Sequence, residues 1–540
     1  MIKDFSIDQL RLKPVNGERV YINDSGKQGF FVATSDTTSS DDGQDTIINQ
    51  LSSVRWKREA APSTLGLEGN VLYVSKLYGN NLTAEKGNRY KQYKDPWTAM
   101  QASSAGDRIV ITDDSTYTVG NVGSGDTYET DDLDEQNLAF HNRTLIGDYG
   151  ATISIGTLST PGYLFTDNLG YLDDPVTNYY PSSGITFKIQ GNLNFIWAGQ
   201  YMANFYHEDT DIDVTCDSIV STDNNLFLLS SPYVDGFSWS SAGTYPNDAF
   251  YYGTRVKRLK IRTKLLKAAD SYYAIVTSGI LNYSDNISNI PQIARDTYDA
   301  GLFGRGSTTR GVIDIKADTV YNRRGYFDCL SNYDVTLNYS NLYGTPWRAT
   351  ARNCYINIDV DRCQPNPNAR SNQFFAYGGG IGNIYDVNLG YGEVDGGFDM
   401  INSEGNGSLH LFKVDQMILS PTSTLTGSAA AGLDLNGSTR FALPSDTTGR
   451  VYFEGNILST RAGIHGIYVS NDLATAAKLP KYLYISNSRI FVEATANSIY
   501  STVTNRDINF GGGNVFNAIM RAGYVTSLGL APTIDTNIPL

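Results

Sequence analysis

The feature that most constrains this chain is a short alternation of apolar and polar residues that keeps returning after about residue 180. Examples are Ile185/Phe187/Ile189, Ile212/Val214/Cys216, Leu259/Ile261/Thr263, Ile313/Ile315/Ala317, Val335/Leu337/Tyr339 and Ile356/Ile358/Val360. Leu409/Leu411, Val451/Phe453 and Leu483/Ile485 continue the series. A period of two places alternate side chains on opposite faces, so each segment predicts a strand with one buried and one wet face. The segments recur 21 residues apart from Val335 to Ile356, 27 from Ile185 to Ile212 and 32 from Val451 to Leu483. Such intervals are those of a stacked repeat. The longer gap from Leu259 to Ile313 predicts one further turn plus an insertion around Asn282 to Gly306. Alternation alone also suits stacked β-sandwiches. Sustained spacing without a break in composition favours a parallel β-helix, as do corners such as Asn341-Leu342-Tyr343-Gly344, Gly378-Gly379-Gly380 and Gly511-Gly512-Gly513.

Composition narrows the function classes. Charged residues make up 18% of the 540 residues, so much of the polar surface must come from Asn, Ser, Thr and Gly, as in extracellular β-proteins. The net charge of −14 argues against nucleic-acid binding, which needs a basic surface to displace counterions. The basic segment Val256-Lys257-Arg258-Leu259-Lys260-Ile261-Arg262 alternates like a strand, which predicts one solvated cationic face. Cys216, Cys329, Cys354 and Cys363 lack metal-ligand spacing and read as buried free thiols. Met1-Ile2-Lys3-Asp4-Phe5 turns polar at once, and no apolar run approaches ~20 residues, so neither a signal peptide nor a membrane span is expected.

The N-terminal part is organised differently. Gly29-Phe30-Phe31-Val32 runs into a Ser/Thr/Asp-rich turn, returns through Thr46-Ile47-Ile48 and closes on Arg55-Trp56-Lys57-Arg58. Ser, Thr and Asp favour that long turn by bonding their own backbone. Val71-Leu72-Tyr73-Val74-Ser75 predicts a strand, and Asp95-Pro96-Trp97 starts a helix with an N-cap and a proline in its first turn. Gly106 stops it, and Arg108-Ile109-Val110-Ile111 predicts the next strand. In this order the parts resemble the leader of phage tailspike and tail-fibre proteins, followed by the first turns of a pectate-lyase-like right-handed parallel β-helix. Gly26-Lys27-Gln28-Gly29 stands where that family commonly carries a longer glycine run.

The expected fold is therefore all-β: a right-handed parallel β-helix with a small N-terminal β leader and an α-helical N-terminal cap. Its expected divisions are a leader at 1–63, a capping strand-helix-strand unit at 64–120, the β-helix at 121–517 and a tail at 518–540. The resemblance implies a virion protein made in the host cytoplasm and forming a side-by-side homotrimer. It also implies attachment to other tail proteins through the leader and binding to bacterial surface polysaccharide. The alternative is a depolymerase, a glycoside hydrolase or lyase that cleaves capsule or O-antigen.

The chemistry available narrows to carboxylates. His141, His207, His410 and His465 are scattered, and no phosphate-binding, dinucleotide or zinc motif occurs, so no cofactor and no metal are expected. A glycosidase needs two carboxyl groups about 5–10 Å apart, which adjacent rungs provide easily. Asp126 to Glu135, Asp211 with Asp213, and Asp359 with Asp361 read mainly as solvated acids. Glu393, Asp395 and Asp399 lie in glycine-rich turns beside Tyr391, with Glu404 following, and are the candidate catalytic acids. Tyr391, Trp347, Tyr377 and Trp239 are candidate glycan contacts, because aromatic faces stack on sugar rings. Tyr251-Tyr252, Tyr272-Tyr273 and Phe374-Phe375 are further aromatic concentrations.

Overall fold

A computed structural model describes residues 71–119 and 142–155, most of 186–230, 256–278, 310–399, 408–435, 449–469 and 482–517, and short stretches within 4–58, at 165–166 and at 532–535. The chain divides into two compact units, Met1–Ile109 and Val110–Leu540.

The first unit contains a five-stranded sheet. Its strands lie in the order Asp4–Phe5, Arg19–Ile22, Gly29–Thr34, Arg55–Arg58, Thr46–Ile48. Gly29–Thr34 runs antiparallel to Arg19–Ile22 on one side and to Arg55–Arg58 on the other. One residue from each of four strands, Val20, Phe31, Ile47 and Trp56, forms its core. Trp56 is fully buried, so the tryptophan of the R-W-K-R segment is a packing residue while its neighbours flank the sheet.

The expected helix forms at Pro96–Gln101, with the Asp95 carboxylate accepting from the Thr98 amide at 2.7 Å. It has only six residues and buries Pro96, Ala99 and Met100. That is less than two turns, too little apolar face for the helical cap expected from the sequence, and the cap is not supported.

The second unit is mostly strand, and its described pairings are parallel. Long strands pair with the next long strand, and the short strands with the next short one or with the end of a long strand, as Ile275–Ser278 does with Gly311–Phe327. Ile384–Val394 pairs with Leu409–Leu419, for instance, while Gly396–Asp399, which lies between them in sequence, pairs with Leu433–Leu435. This skipping pattern makes one long parallel sheet consistent with a parallel β-helix. Antiparallel hairpins can use two-residue turns, whereas parallel pairing needs a longer return path. Here the short strands form part of that path.

Register stacks the side chains into columns. One inward column runs Phe187, Ile212, Leu259, Ile313, Val335, Ile356, Tyr385, His410, Val451, Leu483 and Ile508. All eleven are at most 4% exposed, so the column is a continuous core. Burial of each large apolar side chain contributes about 1.5–3 kcal/mol.

The register corrects two expectations. Leu259 pairs directly with Ile313, so no complete turn lies between them; the proposed insertion at 282–306 is outside the described residues. Leu409 and Leu411 face outward, whereas His410 and Phe412 face the core. Tyr385 and Val387 on the preceding rung fix this choice by register, and the His410 ring stacks on Tyr385 at 4.7 Å.

The basic segment alternates as expected, with its cations on one partly exposed face, and that face is also ion-paired. Arg258 pairs with Asp211 at 2.7 Å, Lys260 with Asp213 at 3.4 Å, and Lys264 with Asp217 at 2.7 Å. Arg262 reaches Asp314 on the following rung. Each of these four cations thus meets an acid one rung away. Cys216, Cys354 and Cys363 are buried free thiols, as expected; Cys329 lies outside the described residues.

Candidate functional site

The glycine-rich acidic segment forms a corner. Ile384–Val394 ends there, Asp395 turns, and Gly396–Asp399 begins the short strand. Gly397 is required by close approach: an added Cβ would collide with the Gly432 carbonyl oxygen and lie 2.6 Å from its carbon. The next rungs repeat the arrangement. Phe398, Leu433, Ile467 and Ile499 stack in register and are fully buried.

One residue further on, the register sets Asp399, Asp434, Tyr468 and Tyr500 in a column on the other side of the strands. Asp399 and Asp434 are 2% and 1% exposed, while both tyrosines are half-buried. Gln373 donates from Nε2 to Asp399 at 2.9 Å. Burial holds the Tyr468 phenol above its ordinary pKa, with Tyr500 and Asp434 adding to the shift. His465 joins from the neighbouring position; its ring stacks on Tyr500 at 4.3 Å and 2°. Its Nδ1 accepts from the Asn497 amide at 3.0 Å, which assigns the hydrogen of the neutral ring to Nε2. Arg461 donates to the carbonyls of Asp395 and Leu425, tying the corner to the loop after Leu409–Leu419. Burial lowers the Arg461 pKa, and the nearby Asp395 charge opposes that shift.

The three candidate acids have different surroundings. Glu393 is half-buried, accepts from the Ser420 hydroxyl at 3.0 Å and stands in register with Ile418. Asp395 is buried at the corner. Asp399 is aligned with another carboxylate, Asp434, which the sequence reading did not name. His465, Tyr468 and Tyr500 were missed as well. A signal for Asp434, Tyr468 and Tyr500 is present in the repeated tripeptide Gly397-Phe398-Asp399, Gly432-Leu433-Asp434, Gly466-Ile467-Tyr468 and Ser498-Ile499-Tyr500, and His465 directly precedes its third copy. Its copies start 35, 34 and 32 residues apart.

The aromatic candidates divide similarly. Trp347 is fully buried, stacked on Phe327 at 4.8 Å and edge-on to Tyr385, so it is a core residue and not a glycan contact. Tyr391 is half-buried with the Arg362 guanidinium 5.5 Å over its ring. Tyr377 lies in the strand Gln373–Ile381, but its side chain is outside the described residues, as is Trp239 altogether. The acidic run at 126–135, Glu404 and the Tyr251-Tyr252 pair are likewise outside them.

Several half-buried tyrosines form rung-to-rung stacks, including Tyr321 on Tyr343 at 4.4 Å and Tyr452 on Tyr484 at 4.5 Å. Their faces contact each other. What a stacked column presents outward is ring edges and hydroxyl groups, not the flat platforms expected from composition.

Among the described residues, no group of three or more His, Cys, Asp or Glu is placed to hold a metal ion, and no helix is long and apolar enough to cross a membrane. The chain matches no protein-family model, no curated protein and no solved structure.

Proposed function

We propose that this is a tailspike-like or tail-fibre-like virion protein whose second unit is a right-handed parallel β-helix that binds bacterial surface polysaccharide. The leader strands and the register of the parallel ladder support the architecture. The Tyr468–Tyr500 column with His465 is the observation that carries the binding reading. It aligns two phenols and an imidazole along the ladder, with Asp434 and Asp399 continuing the same column. Neighbouring rungs lie about 4.8 Å apart, comparable to one sugar residue in a chain. Phenol hydroxyls both donate and accept, and the imidazole supplies an N–H, a set suited to sugar hydroxyls.

Adhesion fits this geometry better than cleavage. Asp399 and Asp434 have the adjacent-rung spacing that a pair of glycosidase acids needs. Both are nevertheless shielded from solvent, so a glycan would meet the tyrosines first.

The test is retention of purified protein on a panel of capsular and O-antigen polysaccharides, alongside an assay for reducing-end release. The expected result is binding without release, weakened about tenfold or more in the double variant Tyr468→Phe/Tyr500→Phe, since each lost hydrogen bond is worth about 0.5–1.5 kcal/mol. Unchanged affinity in that variant overturns the site. Glycan release that Asp399→Asn or Asp434→Asn abolishes makes the protein a depolymerase.

A further inference from the structure

Two corner loops meet just before the short strands Ile467–Val469 and Ile499–Ser501. Three hydrogen bonds join them. The Gly463 amide donates to Thr495 Oγ1 at 2.9 Å, the Asn497 amide to His465 Nδ1 at 3.0 Å, and the Gly466 amide to the Asn497 carbonyl at 3.2 Å. The middle bond depends on charge. Its acceptor is a ring lone pair, which the neutral imidazole has and the imidazolium lacks. No rotation of a protonated ring restores the bond, because both of its nitrogens are then donors.

We propose that His465 is a pH-sensitive latch on the tyrosine column, closed while its ring is neutral and released when the ring is protonated. Its consequence for glycan binding rests on the polysaccharide reading; the latch itself does not.

The groups around the ring set the sign. Tyr500 and Tyr468 pack against it at 4.3 and 5.9 Å, and phenols carry no charge between about pH 5 and 8. Among the described residues, the charged groups on the surrounding elements are Arg461, Glu493 and Asp434. Arg461 lies on the same loop as His465 and donates to the Asp395 and Leu425 carbonyls. Glu493 accepts from the Thr495 amide at 2.8 Å, within its own loop. Asp434 stands one rung behind Tyr468. Nδ1 thus meets a backbone amide and not a carboxylate. A carboxylate would stabilise the imidazolium, whereas an amide donor stabilises the neutral ring. The Tyr500 face accepts a cation as well as a neutral ring, so the Nδ1 bond decides between them. The closed corner selects the neutral form. Its advantage is complete above the ordinary histidine value of about 6.5 and is lost as pH falls below it.

Release acts on the column through the backbone. Asn497 leads through Ser498 and Ile499 to Tyr500, and its half-buried amide loses its acceptor when the latch opens. The loop that carries Tyr500 then loosens, and the alignment of Tyr500 with Tyr468 is weakened.

The test is hydrogen exchange of the full chain, read by mass spectrometry on peptides spanning Asn497 at about pH 7.5 and about pH 5. Rates are taken relative to His465→Asn at the same pH, which cancels the intrinsic pH dependence. Asparagine sets an amide oxygen close to the place of Nδ1 and does not titrate. Wild type should match His465→Asn at the higher pH and exchange about tenfold faster or more at the lower one. His465→Ala has no acceptor and should exchange fast at both, while peptides from the inward strand Arg450–Ser459 stay protected in all three proteins. An unchanged wild-type ratio, or slow exchange in His465→Ala, overturns the latch. Retention on the polysaccharide panel is measured over the same range: it should fall about tenfold or more toward pH 5 in wild type and stay level in His465→Asn. Opening without any change in retention overturns the regulatory role. Absence of glycan binding at both pH values overturns the polysaccharide reading instead and leaves the exchange result standing.

Discussion

Gly397→Ala tests whether close rung-to-rung contact holds the corner in place. The added methyl would collide with the Gly432 carbonyl oxygen and approach Met417 Sδ to 2.8 Å. That carbonyl also accepts the Phe398 amide at 2.9 Å, so it cannot retreat without weakening a ladder bond. Overpacking costs about 1–3 kcal/mol and the bond about 1 kcal/mol, for a local destabilisation of about 3 kcal/mol. Repeat-like ladders need not unfold in one step, so the assay is native-state hydrogen exchange at the Phe398, Leu433 and Ile467 amides. Their exchange should accelerate on the order of 100-fold. Gly432→Ala should have a smaller effect, because its new methyl first meets the movable Ile457 Cδ1 at 2.7 Å and a carbonyl at 2.9 Å. Unchanged protection in Gly397→Ala, or the reverse order, would refute the close-contact account of the corner.

Two further outcomes follow from burial. Burial pushes the Cys216 thiol up to about 12 and raises that of Cys363 further, so both should resist alkylation at pH 8 in folded protein and react after denaturation; peptide mapping of labelled protein checks this. Burial also raises the Tyr339 pKa, so the folded state retains that proton longer than the unfolded state. Its contribution is complete below the unfolded tyrosine value of about 10 and declines as pH rises toward the folded value. Alkaline unfolding followed by circular dichroism should therefore show a shallower loss above pH 10 in Tyr339→Phe; an identical slope would remove Tyr339 from the account.

Much of the ladder was legible because backbone geometry makes every second residue face the same way. Ile212, Leu259, Val335 and Ile356 were all assigned to the buried side, and all are buried. The assignment failed where local hydrophobicity competed with register. Leu409 and Leu411 are more apolar than His410, yet the alignment of His410 with Tyr385 and Phe412 with Val387 reverses them. A single segment cannot reveal that choice, because it is made by the neighbouring rung. The helix start was legible in Asp95 and Pro96, but helix length depends on packing that those signals do not encode.

The site followed the same physics. Gly397 and Asp399 stood out as part of an acidic turn, but Asp434 lies 35 residues beyond Asp399 and becomes its neighbour only through the ladder. Trp347 was attractive as a sugar platform because tryptophan has a large flat face; the same size makes it useful between Phe327 and Tyr385. Aromatic abundance therefore carried two meanings that composition could not separate.

The inward and outward columns are under different constraints. An inward side chain must fit the volume left by the rungs above and below, which explains the nearly continuous burial from Phe187 to Ile508. An outward side chain is aligned just as strictly but need not fill a closed space. Its identity can change from Asp–Arg pairs, through leucine and tyrosine, to the half-buried Tyr468 and Tyr500 without disturbing the ladder bonds. One backbone repeat can thus carry separate chemical stripes. A substitution on an outward stripe should alter association or recognition while leaving exchange protection of the inward rungs intact, whereas Gly397→Ala should alter that protection directly.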